Sequence, residues 1–411
     1  MSDNNFPLTI AIYSEGLSFH GGPIEQQSLG GSESAVWFMA RELAKLGHQV
    51  EVYCLCPQPG RYEPGVSYYE TREFNRHAMA KEWDVFIACR FFQKLAMPLR
   101  ARQLWLWLHD MPGPTAKQVA AHCFQTDQII PLSLFHQAAW EKEFEGFAPK
   151  MWRSRNGVDV QLLRKYGTAA RKPKRLIYAS RPERGLDFLL TDIWPRLYAA
   201  DPARELLVCG YDMHSYDFTQ GMRDFYKHVE ALIRHTPGVV NLGPLTKAQF
   251  YETLSSSAAM VYPCLFPEIS CVNALEAMGL GVPVITSDDY ALEETVPYDR
   301  VSGTPLTPGY AERFIERTTQ VLTDEVLARR LRQQGRQWVE QRYQWKAIAA
   351  EWAQRAYELF IERSEKRGRR ICETLLFNSD VVTAHAMAQE RGYVDLQEET
   401  SRLLATHHTN P

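Results

Sequence analysis

Glu268 and Glu276 stand eight residues apart in YPCLFPEISCVNALEAMGLGVPVIT, residues 262–286, where an apolar strand-like run gives way to a helical pattern. Eight positions are about two helical turns, so the pair is predicted to bracket one end of the intervening helix. The first turn, expected over Ile269, Ser270, Cys271 and Val272, offers backbone N–H groups with no partner inside the helix. Such groups, with the helix dipole behind them, attract an anion such as a diphosphate. Two carboxylates beside an anion-binding helix end suit a ligand with hydroxyls on both sides of a phosphate, which is the chemistry of a nucleotide sugar.

Other residues of suitable type sit where a strand should hand over to a helix. In ASRPERG, Arg181 and Arg184 precede a helix, and guanidinium forks match phosphate oxygens; a surface ion pair with Glu183 or Asp187 is the alternative reading. In SLGGSESAVWF, Gly30 and Gly31 allow close approach of an anion to backbone, with Ser32 or Ser34 positioned to cap the helix that follows. This is neither G-x-G-x-x-G nor a P-loop, which argues against a dinucleotide oxidoreductase or a Walker nucleotidase. His109-Asp110 follows the strand-like QLWLWL and precedes Met-Pro-Gly-Pro. Asp288-Asp289 has no surrounding cluster of ligands, so no metal site is expected.

The elements that must position these residues alternate as β and α. Strands are predicted at Leu8–Tyr13, Gln49–Cys54, Asp84–Ala88, Gln103–Leu108 and Gln128–Ser133, with a helix over Glu33–Leu46. The alternation pauses over 156–174 and resumes with strands at Arg175–Ala179, Leu206–Cys209, Val239–Leu242, Met260–Pro263 and Val282–Thr286. That pattern predicts an α/β chain with two doubly wound parallel sheets, whose ligands bind beyond the carboxyl ends of the strands. Past Thr307 the chain reads as continuously helical, with Trp338, Trp345, Trp352 and Leu359 at seven-residue intervals on one face. From Ser364 a basic cluster, KRGRR, leads into a weakly amphipathic helix over Asp380–Glu390.

At 411 residues the chain has ample core for two or three domains. Lys+Arg 46 against Asp+Glu 49 leaves a formal charge of -3, so no global basic field favours nucleic acid. The start, MSDNNFPLTIAIYS, lacks the features of a signal peptide, and no uncharged apolar run is long enough to span a membrane. Eight scattered cysteines without a C-x-x-C pair suit a reduced cytoplasm, with the basic cluster allowing at most peripheral membrane contact.

Glu268 and Glu276 followed by Ala277-Met278-Gly279-x-Gly281-x-Pro283-Val284 resemble the E-x7-E signature of retaining, family-4-type glycosyltransferases with the GT-B fold. The Gly30-Gly31 loop, His109, Asn156-Gly157-Val158-Asp159, the Arg181/Arg184 loop and Gly243-Pro244-Leu245 agree with that family in order, over roughly residues 8 to 360. The resemblance implies two Rossmann-like domains facing across a cleft: 1–155 on the acceptor side and 175–343 binding the nucleotide sugar, joined by a 156–174 linker. A crossover helix over 344–363 returns to the first domain, and 364–411 is an added tail.

By the same resemblance, Glu276 accepts hydrogen bonds from the donor ribose and Glu268 lies by the transferred sugar. Arg181 and Arg184 hold the diphosphate with the amides of Ser270 to Val272. His109 reaches a sugar hydroxyl, Gly30-Gly31 approaches the sugar-phosphate, and the backbone of Leu245 meets the base. Three positions depart from the pattern: Arg184 stands three residues after Arg181 where the family has Lys five residues on, Cys271 replaces a Gly, and Cys264 replaces a Ser. The resemblance further implies retention of configuration, no permanently bound cofactor, no metal, a UDP-, GDP- or ADP-sugar donor and a glycan, lipid-linked or small-molecule acceptor. Acceptor contacts are expected from Ser14–Ser28 and Phe91–Arg102, where Arg90, Phe91, Phe92 and Lys94 fit either an acceptor or plain packing. A nucleotide-sugar hydrolase or epimerase and a noncatalytic nucleotide-sugar sensor are the alternative readings.

Overall fold

Strands buried on both faces of a parallel sheet are near-continuous apolar runs rather than alternating ones, and TIAIY, DVFIA and SAAMVY are of that kind. In the computed structural model, which describes residues 6–407 except 79, 114–115, 124, 168, 211–218 and 378–379, they lie in the middle of two sheets. The first contains β1 (Thr9–Tyr13), β2 (Gln49–Cys54), β3 (Gly60–Glu63), β4 (Val66–Glu70), β5 (Glu82–Cys89), β6 (Arg100–Trp107) and β7 (Gln128–Ile130), in the order β3-β4-β2-β1-β5-β6-β7. Only β3 runs antiparallel to its neighbour. The second contains β8 (Lys172–Ala179), β9 (Glu205–Cys209), β10 (Val239–Gly243), β11 (Ser257–Tyr262) and β12 (Val284–Thr286), all parallel, in the order β10-β9-β8-β11-β12. The chain therefore has the two Rossmann-like, doubly wound domains its alternation predicts.

Each sheet reverses its order of growth once, at β1 in the first and β8 in the second. Loops leaving neighbouring strands there run in opposite directions and open a crevice at the carboxyl ends. The loops after β1, β5, β6, β8 and β11 carry the chemistry described below.

Several elements differ from expectation. The β3–β4 hairpin was not anticipated, because β3 is a polar, exposed edge strand with no apolar run to mark it. Within 156–174 lies a helix, Val160–Tyr166, capped by Asp159, whose carboxylate accepts from Leu162 N–H at 3.0 Å. It packs on the second domain, with Leu163 against Gly279 and the Tyr166 ring 5.5 Å from that of Tyr251. The seven-residue tryptophan stripe is not one helix face: Trp338 belongs to Glu325–Arg342, and a new helix, Trp345–Phe377, begins after the break at Tyr343-Gln344. Trp345 does return to the first domain, stacking on Phe38 of the Gly31–Lys45 helix at 6.1 Å.

The chain divides into two compact units, Phe6–Ala350 and Glu351–Pro411. The latter carries most of the long last-domain helix, then Val381–Arg391, capped by Asp380 near the expected start, and Val394–His407, which the polar sequence did not suggest. Cys372, Ala384, Ala388 and Leu396 form its small core. Arg369 of the basic cluster pairs with Glu373 and Asp395, so that charge is partly spent within the unit.

Gly185 joins the β8 loop to the helix after it. Its φ is +122°, and a Cβ there would stand 1.9 Å from the Pro263 carbonyl oxygen. Gly185→Ala is expected to lower stability by at least about 2 kcal/mol, read as a drop in the urea unfolding midpoint, because both the backbone conformation and the contact are forbidden to a side chain. A midpoint equal to wild type would disprove this contact.

Candidate active site

A cavity of about 690 Å³ lies between the two domains and gathers residues from both. From the second domain come Ser180, Arg181, Arg184, Glu268 and Ile269 to Asn273; from the first come Gly30, Gly31, Glu33, Arg90, His109 and Asp110. Of the predicted site residues, His109, Arg181, Arg184, Glu268, Gly30, Gly31, Ile269, Ser270, Cys271 and Val272 meet here. Leu245 lines a smaller neighbouring cavity of about 70 Å³ with Gly210, Lys247 and Asn273. Glu276 lines neither and is buried, 2 % exposed.

The two glutamates are placed differently from the two-turn bracket expected. The helix is Val272–Gly279, so Ile269, Ser270 and Cys271 form the loop before it; Glu268 precedes that loop, and Glu276 sits in the second turn. Among the described residues no side chain caps this helix, which leaves first-turn N–H groups without an intrahelical partner beside the cavity that Ile269 to Asn273 line. Asn273, in that turn, donates from its side chain to the Ala179 carbonyl and ties the helix to the end of β8.

Glu268 Oε1 accepts from Tyr262 OH at 2.6 Å and pairs with Arg184 Nη1 at 2.8 Å. The Arg184 guanidinium also lies over the Phe266 ring, 3.9 Å from its centre. Arg181 pairs with Glu183 at 2.6 Å, whose other oxygen accepts from Tyr226 OH at 2.8 Å. Both arginines thus line the cavity while anchored to carboxylates, Arg181 by the ion pair with Glu183 and Arg184 by that with Glu268. Burial pushes the Cys264 thiol up to about 12 and the Cys271 thiol well above its ordinary value, so both stay neutral.

On the first-domain side the Gly31–Lys45 helix begins without a side-chain cap. Gly30 is the capping residue, and Ser32 and Ser34 lie inside the helix rather than capping it. The space beside Gly30 is taken by the Glu33 carboxylate, 2.4 Å from where a Cβ would stand. Glu33, 3 % exposed, accepts from Leu17 N–H at 3.2 Å and Ser32 OH at 3.1 Å.

The His109-Asp110 turn is fixed from below: the Asp110 carbonyl accepts from His136 Nε2 at 2.9 Å and Trp140 Nε1 at 3.1 Å. Because His136 Nδ1 already accepts from Leu132 N–H at 3.2 Å, its proton is on Nε2. Arg90 grips the Asp110 carboxylate through two bonds of 2.8 and 3.0 Å, with a left-handed φ of 70°. The His109 ring packs on Trp107 at 4.8 Å, and its Nε2 has no hydrogen-bond partner among the described residues. Burial, then the Arg90 cation and His136, holds its pKa well below the ordinary 6.5. At neutral pH the ring is uncharged.

Glu33, Asn273 and Lys247 were not singled out as site residues; Arg90 and Asp110, which each follow a strand at its carboxyl end, were named as an acceptor-side residue and as the neighbour of His109. Of the four residues held between acceptor contact and packing, Arg90 and Phe91 line the cavity, Phe92 is buried, and Lys94 sits over the Tyr13 ring at 4.8 Å. Asp288 pairs with Arg300 at 2.6 Å. Among the described residues no group of three His, Cys, Asp or Glu is placed to hold a metal ion. All eight cysteines are buried free thiols, and no described helix is long and apolar enough to cross a membrane.

Residues 161–338 match the model of the family described as glycosyl transferases group 1. A search of curated proteins found no significant match. Among solved structures, sucrose-phosphate synthase from Thermosynechococcus elongatus superposes with a TM-score of 0.67 at 18 % identity, covering 86 % of this chain and 100 % of its own. HepE of Anabaena, in complex with UDP and glucose, gives 0.64 at 16 % identity over 85 % of this chain and 100 % of its own. For α,α-trehalose 6-phosphate synthase from Burkholderia multivorans the values are 0.65, 11 %, 88 % and 98 %. The fold is thus the two-domain GT-B fold of these glycosyltransferases.

His136 is pushed down to about 4 by burial, and His109 and His48 are lowered for the same first reason. The unfolded imidazoles bind protons near pH 6.5 while the folded ones do not, so stability falls as pH drops below 6.5. At pH 5 the expected loss relative to pH 7.5 is about 2 kcal/mol for His136 alone. Urea unfolding from pH 7.5 to 5 measures it; His136→Asn should flatten the profile, and an unchanged slope would contradict the assignment.

Proposed function

We propose that the chain is a retaining glycosyltransferase that moves a sugar from a nucleoside-diphosphate sugar to an acceptor hydroxyl. The observation that carries this reading is the one cavity uniting Arg181, Arg184, Glu268 and the uncapped start of the Val272–Gly279 helix with His109 and Gly30-Gly31 of the other domain. Matches to group 1 glycosyl transferases over 161–338 and to HepE bound to UDP and glucose support it.

In this reading the diphosphate sits at the helix start between Arg181 and Arg184, and the transferred sugar lies between Glu268 and His109. The bond from the anomeric carbon to the phosphate oxygen breaks, and negative charge gathers on the leaving diphosphate. Guanidinium and amide donors already aimed at it lower the barrier. The acceptor oxygen bonds to the same face of that carbon, and its proton passes to a departing phosphate oxygen, so no dedicated base is needed. Neutral His109 offers an unpartnered Nε2 to a sugar hydroxyl without placing a cation beside the oxocarbenium-like carbon. Glu276 receives the ribose and the Leu245 backbone the base. Residues 6–155 supply the acceptor side, and acceptors with hydroxyls suit the Arg90–Asp110 pair at the cavity wall. The chemistry calls for no permanently bound cofactor and no metal.

Release of nucleoside diphosphate from UDP-, GDP- and ADP-sugars, with and without pooled acceptors, tests this. One donor should stand out, with acceptor-dependent release, and Arg181→Ala and Glu276→Ala should each cut kcat/KM by at least about 100-fold. Retention is read from the anomeric configuration of the product. Acceptor-independent release would mean a hydrolase, and no release with no thermal stabilisation by any nucleoside diphosphate would sink the reading.

A further inference from the structure

Lysine is almost never fully buried unless it is paired, yet Lys247 is 6 % exposed. It opens the Lys247–Ser255 helix, whose start is secured by a Thr246/Gln249 capping box. Its Nζ lies 2.6 Å from Glu276 Oε1, and Tyr251 OH donates to the same oxygen at 2.8 Å. Glu276 Oε2 is shut from solvent and takes no hydrogen bond among the described residues. A buried carboxylate oxygen without a donor is costly, so one half of this group is saturated and the other is kept for something absent.

The place of that missing donor is marked by the neighbours. Asn273, three residues before Glu276 on the same helix face, lines both the large cavity and the smaller one, and Lys247 lines the smaller one with Gly210 and Leu245. Lys247 is also held at its backbone, where its N–H donates to the Gln27 carbonyl of the first domain at 3.0 Å. Gln27 in turn braces its own loop, donating to the Gly22 carbonyl at 2.9 Å.

We propose that Lys247 is a positioning residue for ribose recognition, holding Glu276 Oε1 so that Oε2 faces the vicinal hydroxyls of a nucleoside diphosphate. The inference rests on the nucleotide-sugar reading above. Tyr251 supplies a hydrogen bond to Oε1 but no charge; Lys247 supplies the counter-charge that a carboxylate needs in a dry site. Without it only the Tyr251 hydrogen bond is left to hold Oε1 in place.

The test compares binding of UDP, GDP and ADP with their 2′,3′-dideoxy analogues to the full chain by calorimetry. The wild type should favour the ribo form of whichever nucleotide it binds by roughly 10- to 100-fold, as expected for hydrogen bonds to a charged group. Lys247→Met should shrink that ratio to below about 3-fold, Glu276→Gln should do the same, and the double variant should lose no more than Glu276→Gln alone. Lys247→Gln, which keeps a donor without the charge, is made alongside, and melting curves confirm which variants fold. If both Lys247 variants weaken ribo and dideoxy forms equally, Lys247 is only structural and the inference is wrong. A wild type that binds nucleotide without ribose preference also overturns it while leaving the donor reading intact. A wild type that binds no nucleotide overturns both.

Discussion

A carboxylate is tolerated inside a protein when a cation and hydrogen bonds meet it, and the second domain buries two, Glu268 and Glu276, only 4 % and 2 % exposed. Their cations arrive from separate elements: Arg184 from the turn after β8, Lys247 from the start of the Lys247–Ser255 helix. Removing one partner of such a pair costs about 3–5 kcal/mol. The Val272–Gly279 helix and the loop before it are therefore pinned at both ends, and the positions of Ile269 to Asn273 around the cavity follow. Gly185 permits the arrangement, because only a residue without Cβ lets the Arg181–Arg184 turn lie against the Pro263 carbonyl.

The first domain combines neutral hydrogen bonds with an ion pair for the same end. His136 and Trp140 hold the carbonyl of Asp110, Arg90 holds its carboxylate, and His109 between them is left without a partner for Nε2. The left-handed backbone of Arg90 is unfavourable for a side chain of that size. Its two bonds to Asp110 offset that strain and keep a guanidinium near His109, which disfavours a second positive charge there. Burial depresses the His109 pKa first, and the same Arg90 that supports the turn lowers it further.

The domains touch at several points around the cavity. Val158 N–H donates to the Tyr343 carbonyl at 2.7 Å, so the two chain crossings run side by side. The Glu294 carboxylate accepts from Leu134 and Phe135 N–H at 2.8 and 2.9 Å, capping a first-domain helix from the second domain. Beside that cap the Phe135 and Tyr290 rings meet at 5.2 Å, so the contact is both polar and aromatic.

The alternation of apolar runs and amphipathic stretches was enough to predict two doubly wound sheets, because a parallel strand buried on both faces leaves a plain signal in composition. The loops at strand ends were legible for the same reason: once β6 and β8 are placed, His109 and Arg181 must emerge at a carboxyl edge. Polar elements escaped, as with the β3–β4 hairpin and the helix at Val394–His407, since neither buries a continuous apolar face. Helix starts were displaced at Ser32/Ser34 and at Ile269, where a capping preference or a spacing of eight does not say which residue first turns helical. Pairing lay wholly beyond the linear order. That Arg184 belongs to Glu268, 84 residues on, and Lys247 to Glu276, 29 residues on, is decided by burial in three dimensions, where a charge must find whichever partner the packed sheets bring within reach.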